Sequence, residues 1–541
     1  MKKIVAIIIA VALSLCLFAG CASENGGEPA SGTAGEPSPT GQGTTTAASP
    51  TGGNAVTSPS QPEGTDDPVL TPYRSHVNLI LSQPPDKLDP HLYDNLAAGS
   101  VCGQIFDQLF LISATRDEEP RLALNYDVSA DGLTYTYHLR PGVFFSDGSP
   151  FTANDVVFSF GRMRPDTVRD AILREVIATD DLTVEFRLNS VSATFHSRIS
   201  AVLIASESAV TAAGDQAAVS PIGTGPFMLD KNSFNIDQHI TLIRNPYYWN
   251  PDEVQLESAT YYVITDETTQ YNAFEAGDAD MLVVGANYWP GVLESGKYNT
   301  VSGAIGLTTY IVFNTTTAPW NDVRVRRAFN YAINNELIVA LAYNGIGVPA
   351  LTAAPPGVIK GAVYPDSPYR YDPQKARELF AEAGVSDVGP LMTVAGITKS
   401  ILEIIQQNLL DIGIKMDIEV LDPASLTAAR NSGTFTAATI GIYLDQEFDQ
   451  YALIYTTDGV LNHSRLYDPL VDELFITAGT TTDTDARYAI YRRIINIVDE
   501  EARHHYIAHG IFTYAYDPHL SQIGAEDGLT LLRRFVWDLV P

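Results

Sequence analysis

The sequence predicts an α/β fold (α+β in detail) that extends over more than one domain. Apolar residues at helical spacing from Ile401 to Ile412 are followed by Gly413 and by alternation over Ile414–Val420. That order indicates a βαβ-type element. Alternation over Leu133–Leu139 and Leu182–Leu188 predicts half-buried strands elsewhere. The folded part would hold roughly 470 residues, which is too long for a single domain.

The first residues have the pattern of an export signal. Lys2 and Lys3 precede an apolar run, Ile4–Phe18, that is short for a membrane-spanning helix. The run ends in small residues and Cys21, and this end resembles a bacterial lipobox, in which cleavage before the cysteine is coupled to attachment of a diacylglycerol. We therefore expect Cys21 to be lipidated; the alternative is an ordinary signal peptide with a chance cysteine.

Residues 22–72 are predicted to be a disordered tether. They consist mainly of Gly, Ser, Thr, Pro and Ala, with very few large apolar side chains. Such a segment cannot bury enough apolar surface to offset the entropy lost on ordering. A tether of this kind would let a folded body stand away from the membrane.

Charge and cysteine content exclude some classes of partner and of fold. The chain has 33 Lys and Arg against 64 Asp and Glu, a formal net charge of −31. This balance argues against nucleic acid and against electrostatic adhesion to anionic lipids. Cys102 would be the only cysteine besides Cys21 in an exported chain, so no disulfide framework is possible. Cys102 lies in an apolar stretch and is expected to be buried.

A turn–strand–strand–aromatic unit lies near the middle of the chain. Gly223, Gly225 and Pro226 predict a tight turn into a strand. A second strand ends at Arg244-Asn245-Pro246-Tyr247-Tyr248-Trp249, where the proline removes a hydrogen-bond donor and the aromatic rings can cover a large area. GTGPF followed by RNPYYW resembles the signature of the family 5 extracellular solute-binding proteins, the oligopeptide-, dipeptide- and nickel-binding receptors of ABC importers.

Further segments resemble the same family from Val77 to about Leu531. Leu88-Asp89-Pro90 resembles its LDP motif, and Gly277–Asp280 resembles a turn that returns the chain to a strand. Tyr310–Asn314 resembles a strand that crosses into the second lobe, and the resemblance places Asn314 among the ligand-binding residues. The stripe of apolar residues from Val323 to about Tyr343 predicts one helix, capped by Asn321 or Asp322.

The most informative stretch for ligand binding is Gly441-Ile442-Tyr443-Leu444-Asp445. In peptide-binding relatives a G-W-x-x-D segment lies in the cleft, and its aspartate pairs with the α-ammonium of the peptide. The resemblance therefore assigns ligand binding to Gly441, Tyr443 and Asp445, although Ile442 replaces the tryptophan and Tyr443 brings an aromatic ring one position later. The alternative is an exposed loop aspartate in an acidic run with Glu447 and Asp449.

Neither a catalytic centre nor a metal site is indicated. The chain contains no G-x-S-x-G, H-E-x-x-H or cysteine–histidine pattern and no nucleotide-binding loop. His504, His505 and His509 surround a segment that reads as a strand, and alternation would hold His505 and His509 too far apart to chelate one ion well. We therefore expect no catalytic residue, no metal and no cofactor, and structural or solvated histidines.

The resemblance implies a two-lobed, periplasmic-binding-protein-like fold with an extra small domain. It also implies two hinge crossings, near Ile305–Asn314 and Ile507–Tyr514. The expected domains are a lipoprotein signal peptide (1–21), the tether (22–72), lobe I (73–111, 219–306 and 509–541), the small domain (112–218) and lobe II (307–508).

The implied function is capture of peptides outside the membrane and delivery to the permease and ATPase subunits of an ABC transporter. The protein would be an extracytoplasmic monomer, anchored to the membrane through Cys21. Two alternatives stay open: a receptor of the same fold for a nickel chelate or an oligosaccharide, and an exported hydrolase.

Overall fold

A computed structural model describes residues 71–112, 118–163, 172–200, 202–355, 368–443, 448–522 and 532–540. Its strands are, in chain order, β1 (Thr71–Pro72), β2 (His76–Leu81), β3 (Phe110–Ile112), β4 (Glu118–Pro120), β5 (Ala123–Val128), β6 (Thr134–Leu139), β7 (Leu173–Asp180), β8 (Thr183–Leu188), β9 (Phe227–Asn235), β10 (His239–Arg244), β11 (Ser258–Val263), β12 (Met281–Val283), β13 (Asn299–Phe313), β14 (Val348–Pro349), β15 (Asp387–Thr393), β16 (Lys415–Val420), β17 (Ala437–Tyr443), β18 (His504–Tyr516), β19 (Leu520–Ser521), β20 (Val536–Trp537) and β21 (Leu539–Val540).

The α-helices of the same residues are α1 (Leu96–Ile105), α2 (Ala153–Arg162), α3 (Phe195–Ser200), α4 (Glu207–Ala213), α5 (Glu267–Ala276), α6 (Trp289–Ser295), α7 (Val323–Ala332), α8 (Asn335–Ala342), α9 (Pro373–Ala383), α10 (Ile397–Asp411), α11 (Pro423–Ser432), α12 (Ala452–Tyr455), α13 (Pro469–Thr480) and α14 (Thr484–Glu501). None of these helices combines the length and the hydropathy needed to cross a bilayer.

One large mixed sheet links two lobes. Its strand order is β16-β15-β17-β13-β18-β12-β2-β11-β10-β9, and β14 pairs with β18. The long antiparallel strands β13 and β18 form its centre and take part in both lobes. The first lobe contains β2 and β9–β12, and the second contains β15–β17, with β15 parallel to both β16 and β17. The predicted two-lobed α/β fold with two crossings is confirmed.

Each lobe has its own core. In the first lobe, Val77, Val101 and Leu242 belong to one buried cluster. The second lobe has a separate cluster on each face of its sheet, one of which contains Phe329 and the other Tyr491. Burial on both faces explains the continuous apolar run Tyr310–Phe313 at the end of β13, whose residues alternate between the two clusters. The second lobe is therefore a layered α/β body, as its helix–glycine–strand pattern predicts.

A four-stranded antiparallel sheet, β5-β6-β8-β7, forms a third body with its own core. Tyr137 and Phe186 are fully buried in it. Helix α2 packs against this sheet and begins with a capping box, in which the Asp155 carboxylate accepts a 2.9 Å hydrogen bond from the Thr152 N–H. We call this body, together with α3, the small domain.

The two signature segments meet around a buried ion pair. The Asn245 side-chain amide donates to the Gly225 carbonyl at 2.8 Å, which joins the RNPYYW segment to the GTGPF turn. The Trp249 indole N–H donates to Asp107 at 3.1 Å, and Asp107 pairs with the buried guanidinium of Arg121. Hydrogen bonding to both partners offsets much of the cost of burying these charges. The turn–strand–strand–aromatic unit thus forms a junction between the first lobe and the small domain.

Two predicted boundaries are wrong. The stripe from Val323 to about Tyr343 forms two helices, α7 and α8, because Ile333 is extended and Asn334 caps the second helix. Asp322, rather than Asn321, caps α7. The predicted tether 22–72 also overlaps β1, in which Thr71 pairs with Val540 at the other end of the chain.

Candidate functional site

The two crossing strands meet the end of β17 at the junction of the lobes. Thr308 pairs with Ile442 on β17 and with His509 on β18, so three strands converge at one residue. The register between β13 and β18 shifts twice here, between Ala304 and Thr308 and between Thr309 and Tyr310. Such irregularities bend a strand and redirect its side chains. They lie where the resemblance implies a hinge.

Polar side chains at this junction are buried and hydrogen-bonded. The Thr308 hydroxyl donates to the Ala353 carbonyl at 3.1 Å and lies 3.0 Å from Nδ1 of His509. The Tyr343 hydroxyl donates to Thr309 at 3.0 Å. Burial lowers the pKa of His509 to about 4, so its imidazole is neutral near pH 7. The hydroxyl groups at the junction are therefore neutral dipoles, and His509 carries no charge there near pH 7.

Gly441 and Tyr443 lie on the face of β17 opposite the core cluster that contains Tyr491. Ile440 and Ile442 pack into that core, whereas Gly441 is exposed and the Tyr443 side chain is 43% exposed. A Cβ at Gly441 would find only Leu307 within 4 Å, at 3.9 Å. The two residues thus border open space at the lobe junction. Asp445 and Glu447, like Cys21, lie outside the described residues.

Both polar atoms of the Asn314 side chain form hydrogen bonds within the protein. Its amide nitrogen donates to the Gly433 and Phe435 carbonyls at 3.2 and 2.8 Å, and its oxygen accepts from the Thr316 N–H and hydroxyl. The residue is 1% exposed. It fixes the loop after β13, and its assignment to ligand binding stays a prediction that this geometry does not support.

Further contacts join the lobes outside the shared strands. The Asn344 amide donates to the Ala286 carbonyl at 3.3 Å. On the small domain, Arg198 forms an ion pair with Asp449 of the second lobe. The Asp449 side chain is 16% exposed, so this member of the acidic run is paired and largely buried. Nothing in the sequence indicates a pair so distant along the chain.

The histidines of β18 serve the structure of the second lobe. His504, His505 and His509 are each 3% exposed. The ring nitrogens of His505 lie 2.8 and 3.1 Å from the side-chain oxygens of Asn330 and Asn335. No group of three or more His, Cys, Asp or Glu side chains in the described ranges is placed to hold a metal ion.

Two other candidate groups also have structural partners. Asp280 of the Gly277–Asp280 turn accepts hydrogen bonds from Arg74 at 2.5 Å and from the Asn78 N–H at 2.7 Å. Cys102 is fully buried in α1, and burial raises the pKa of its thiol, which suits a core side chain.

Comparison with known proteins agrees with this architecture. The profile of "Bacterial extracellular solute-binding proteins, family 5 Middle" matches residues 118–462. Di/tripeptide-binding protein 1 of Pseudomonas aeruginosa is 30% identical over 438 residues, which cover 72% of this chain and 80% of that protein. Heme-binding protein A of Haemophilus influenzae is 29% identical over 459 residues, 75% of this chain and 82% of that protein.

The structure of HbpA2 from Haemophilus parasuis superposes with a TM-score of 0.78 at 24% identity, and the match covers 86% of this chain and all of that one. At 24% sequence identity, this structural similarity establishes the fold alone. The family resemblance seen in the signature segments is confirmed, and the chain belongs to the family 5 extracellular solute-binding proteins of ABC importers.

Proposed function

We propose that this protein captures peptides in the cleft between its lobes and delivers them to an ABC permease. The observation that carries the proposal is the similarity to a di/tripeptide-binding protein over 72% of the chain. We also propose the domain boundaries that the family resemblance implies, except that the first lobe begins at β1. The protein acts as a binding component, in line with relatives that are named for ligands and not for reactions.

The edge of β17 opposite β13 supports a peptide ligand, because among the described residues β15 pairs there only with Ala437 and Ala438. An extended peptide offers the same backbone donors and acceptors whatever its sequence, so strand-like pairing gives affinity without strict side-chain choice. Gly441 leaves room for close approach of a second backbone beside β17. Tyr443, two residues on and on the same face, provides an exposed aromatic ring for the ligand's side chains.

Asp445 is the proposed partner of the peptide's α-ammonium. In the sequence it follows Tyr443, the last residue of β17, by two positions. A carboxylate enclosed by closed lobes would fix the register of the peptide, because an ammonium buried without a counter-ion is costly. Asp445→Asn keeps the size and removes the charge. We expect a loss on the order of 2–5 kcal/mol in binding, which is at least about thirtyfold in affinity.

Isothermal titration of free and N-acetylated tripeptides against wild type and Asp445→Asn tests the role. The wild type should bind the acetylated peptide poorly, and the variant should discriminate much less between the two peptides. Asp458→Asn is a matched control, because Asp458 is an exposed aspartate of the same lobe. Equal binding of both peptides by the wild type would remove Asp445 from this role and favour a non-peptide ligand.

A non-peptide ligand is the second candidate. It is favoured by the 29% identity to a heme-binding protein over 75% of the chain. Nickel chelates and oligosaccharides belong to the same alternative. Native mass spectrometry of protein purified from its host identifies a co-purified ligand directly, and titration with hemin followed by its visible absorption tests the heme case. Saturable one-to-one binding of hemin, with no binding of peptides, would replace the first proposal.

The proposed setting is the outer face of the cell membrane. Cys21 would carry the lipid, residues that follow it would serve as the tether, and the folded body would meet its permease as a monomer. ATP would be hydrolysed by partner subunits, since the sequence has no nucleotide-binding loop.

A further inference from the structure

The small domain also contacts the second lobe through described residues that lie outside β13 and β18. The Thr194 hydroxyl donates to Oδ2 of Asp449 at 3.0 Å, and the Arg198 guanidinium donates to the same oxygen. The Ala193 N–H donates to the Gly479 carbonyl at 2.9 Å. One carboxylate thus receives two side-chain bonds across the lobes, and a backbone bond lies beside them.

The small-domain side of this contact is rigid. Thr194 is 4% exposed and precedes α3, whose first residue, Phe195, is fully buried. The rings of Phe195 and Tyr135 lie 4.8 Å apart, and the Tyr135 hydroxyl contacts the Ser192 carbonyl at 3.4 Å. The donors are therefore held in place by the core of the small domain.

The second-lobe side is equally well anchored. Asp449 lies in the turn Phe448–Tyr451, in which Phe448 is fully buried. The Phe448 ring stacks on Tyr451 and Phe475, at centroid distances of 4.8 and 5.9 Å. Phe475 belongs to α13, the helix that also contains Gly479. Both acceptors are thus fixed to one aromatic cluster.

The charged pair is only partly hydrated. The Arg198 and Asp449 side chains are 28% and 16% exposed. Oδ1 of Asp449 and Nε of Arg198 are buried and have no hydrogen-bond partner among the described residues. Removal of either charge would leave the other poorly solvated while the lobes stay together. A rotation of the lobes that separated the pair would let both groups hydrate.

We propose that Thr194 and Arg198 of the small domain and Asp449 of the second lobe form a latch that sets the balance between closed and open lobes. The function of this balance rests on the proposed capture of ligand in the cleft. A rotation about β13 and β18 that moves the small domain away from the second lobe must break the latch, because its two sides belong to these two bodies. The apparent affinity for any ligand is reduced by the fraction of molecules that are not competent to enclose it.

Arg198→Gln tests the latch without any ligand. Spin labels at Ser190→Cys and Glu473→Cys, two exposed positions near the two sides, report the distance between the small domain and the second lobe. The full chain carries Cys16→Ser and Cys21→Ser, so that only buried Cys102 remains besides the labels, and it is unfolded and refolded to remove co-purified ligand. We expect the ratio of short to long distances to fall by about tenfold in Arg198→Gln.

Arg187→Gln is the matched control. Arg187 lies on β8 of the same domain, and its ion pairs with Glu175 and Glu185 stay within that domain. Its replacement should leave the distance distribution unchanged. Asp449→Asn should lower the ratio of short to long distances as Arg198→Gln does. The double variant should lower this ratio by less than the two single effects combined, because the two residues contact each other.

The proposal is overturned if the wild type and Arg198→Gln give the same distance distribution while both melt at the same temperature. It is also overturned if Arg187→Gln shifts the distribution as far as Arg198→Gln does. Since no ligand is present, neither result depends on whether the cleft takes peptides. An unchanged distance distribution in Asp445→Asn would show that the latch acts independently of the proposed ammonium site.

Discussion

At Gly225 the backbone passes so close to helix α1 that no side chain fits. An ideal Cβ there would lie 2.6 Å from both the carbonyl carbon and the carbonyl oxygen of Ile105, whose oxygen also accepts the Gly225 N–H at 2.8 Å. Relief requires movement of a helix end or of the turn itself. We expect Gly225→Ala to lower the free energy of unfolding by about 1–3 kcal/mol or more, measured by urea denaturation.

Gly103→Ala is the control for that change. Gly103 lies inside α1, two residues from Ile105, and a Cβ there meets nothing within 4 Å. Alanine should stabilise this helix by up to about 1 kcal/mol, because glycine is the weaker helix former. Equal destabilisation by both variants would show that the close approach at Gly225 is not the cause.

Single residues also mark the limit of prediction from the sequence. The motif around Asn314 identifies a special position, and the structure shows that its amide nitrogen donates to the carbonyls of Gly433 and Phe435, which precede β17. Asp449 looks like a solvated acid, yet its partner Arg198 lies 251 residues earlier. Hydrogen-bond partners across such separations depend on the packed lobes and leave no local pattern.

Elements with strong local signals were predictable. Asp372 caps α9 through a 3.0 Å bond from the Lys375 N–H, and Gly384 ends the helix in the left-handed conformation, as the Asp-Pro and Gly positions indicate. The strand expected at Tyr506–Ala508 exists but extends over His504–Tyr516. Its length follows from pairing with β13, which is a long-range partner.

The break between α7 and α8 was not predictable from the apolar stripe, which continues through it. The Asn334 side chain accepts from the Leu337 N–H at 2.9 Å, and its own N–H donates to Asn408 of α10. The break turns α8 so that Tyr343 reaches Thr309 at the lobe junction. We expect Asn334→Ala to cost about 1 kcal/mol of stability, measured by thermal unfolding, through loss of the N-cap.

Asn321→Ala provides the matched comparison. Asn321 was an alternative cap for α7, but Asp322 fills that position and the Asn321 side chain is exposed. Its replacement should change the unfolding free energy by less than about 0.5 kcal/mol. If the two alanine variants unfold at the same temperature, the Asn334 cap does not hold the start of α8.

At the scale of the whole molecule, two kinds of contact join the lobes. The strands β13 and β18 are continuous between them and can only bend, whereas the contacts of Arg198 and Thr194 with Asp449 can separate completely. A hinged clamp requires a connection that bends without breaking and a second contact that can separate. The arrangement gives the proposed capture of ligand a mechanical basis in described residues.

The attachment of the whole body to the membrane is proposed to depend on one atom, the sulfur of Cys21. The net charge of −31 opposes adhesion to anionic lipids. Each methylene of an attached acyl chain contributes about 0.8 kcal/mol of membrane affinity, so more than one chain anchors stably. Cys21→Ser should therefore abolish incorporation of a labelled fatty acid and move the processed protein to the soluble extracytoplasmic fraction.

Ala22→Ser is the control, because it changes the neighbouring residue and keeps the cysteine. It should retain both the label and the sedimentation with membranes. The Cys21→Ser protein must be followed after removal of residues 1–20, since an uncleaved apolar segment, Ile4–Phe18, could itself hold the chain to the bilayer. If the cleaved variant still sediments with membranes at high salt, a partner or surface other than the lipid holds the body there, and the anchor proposal is wrong.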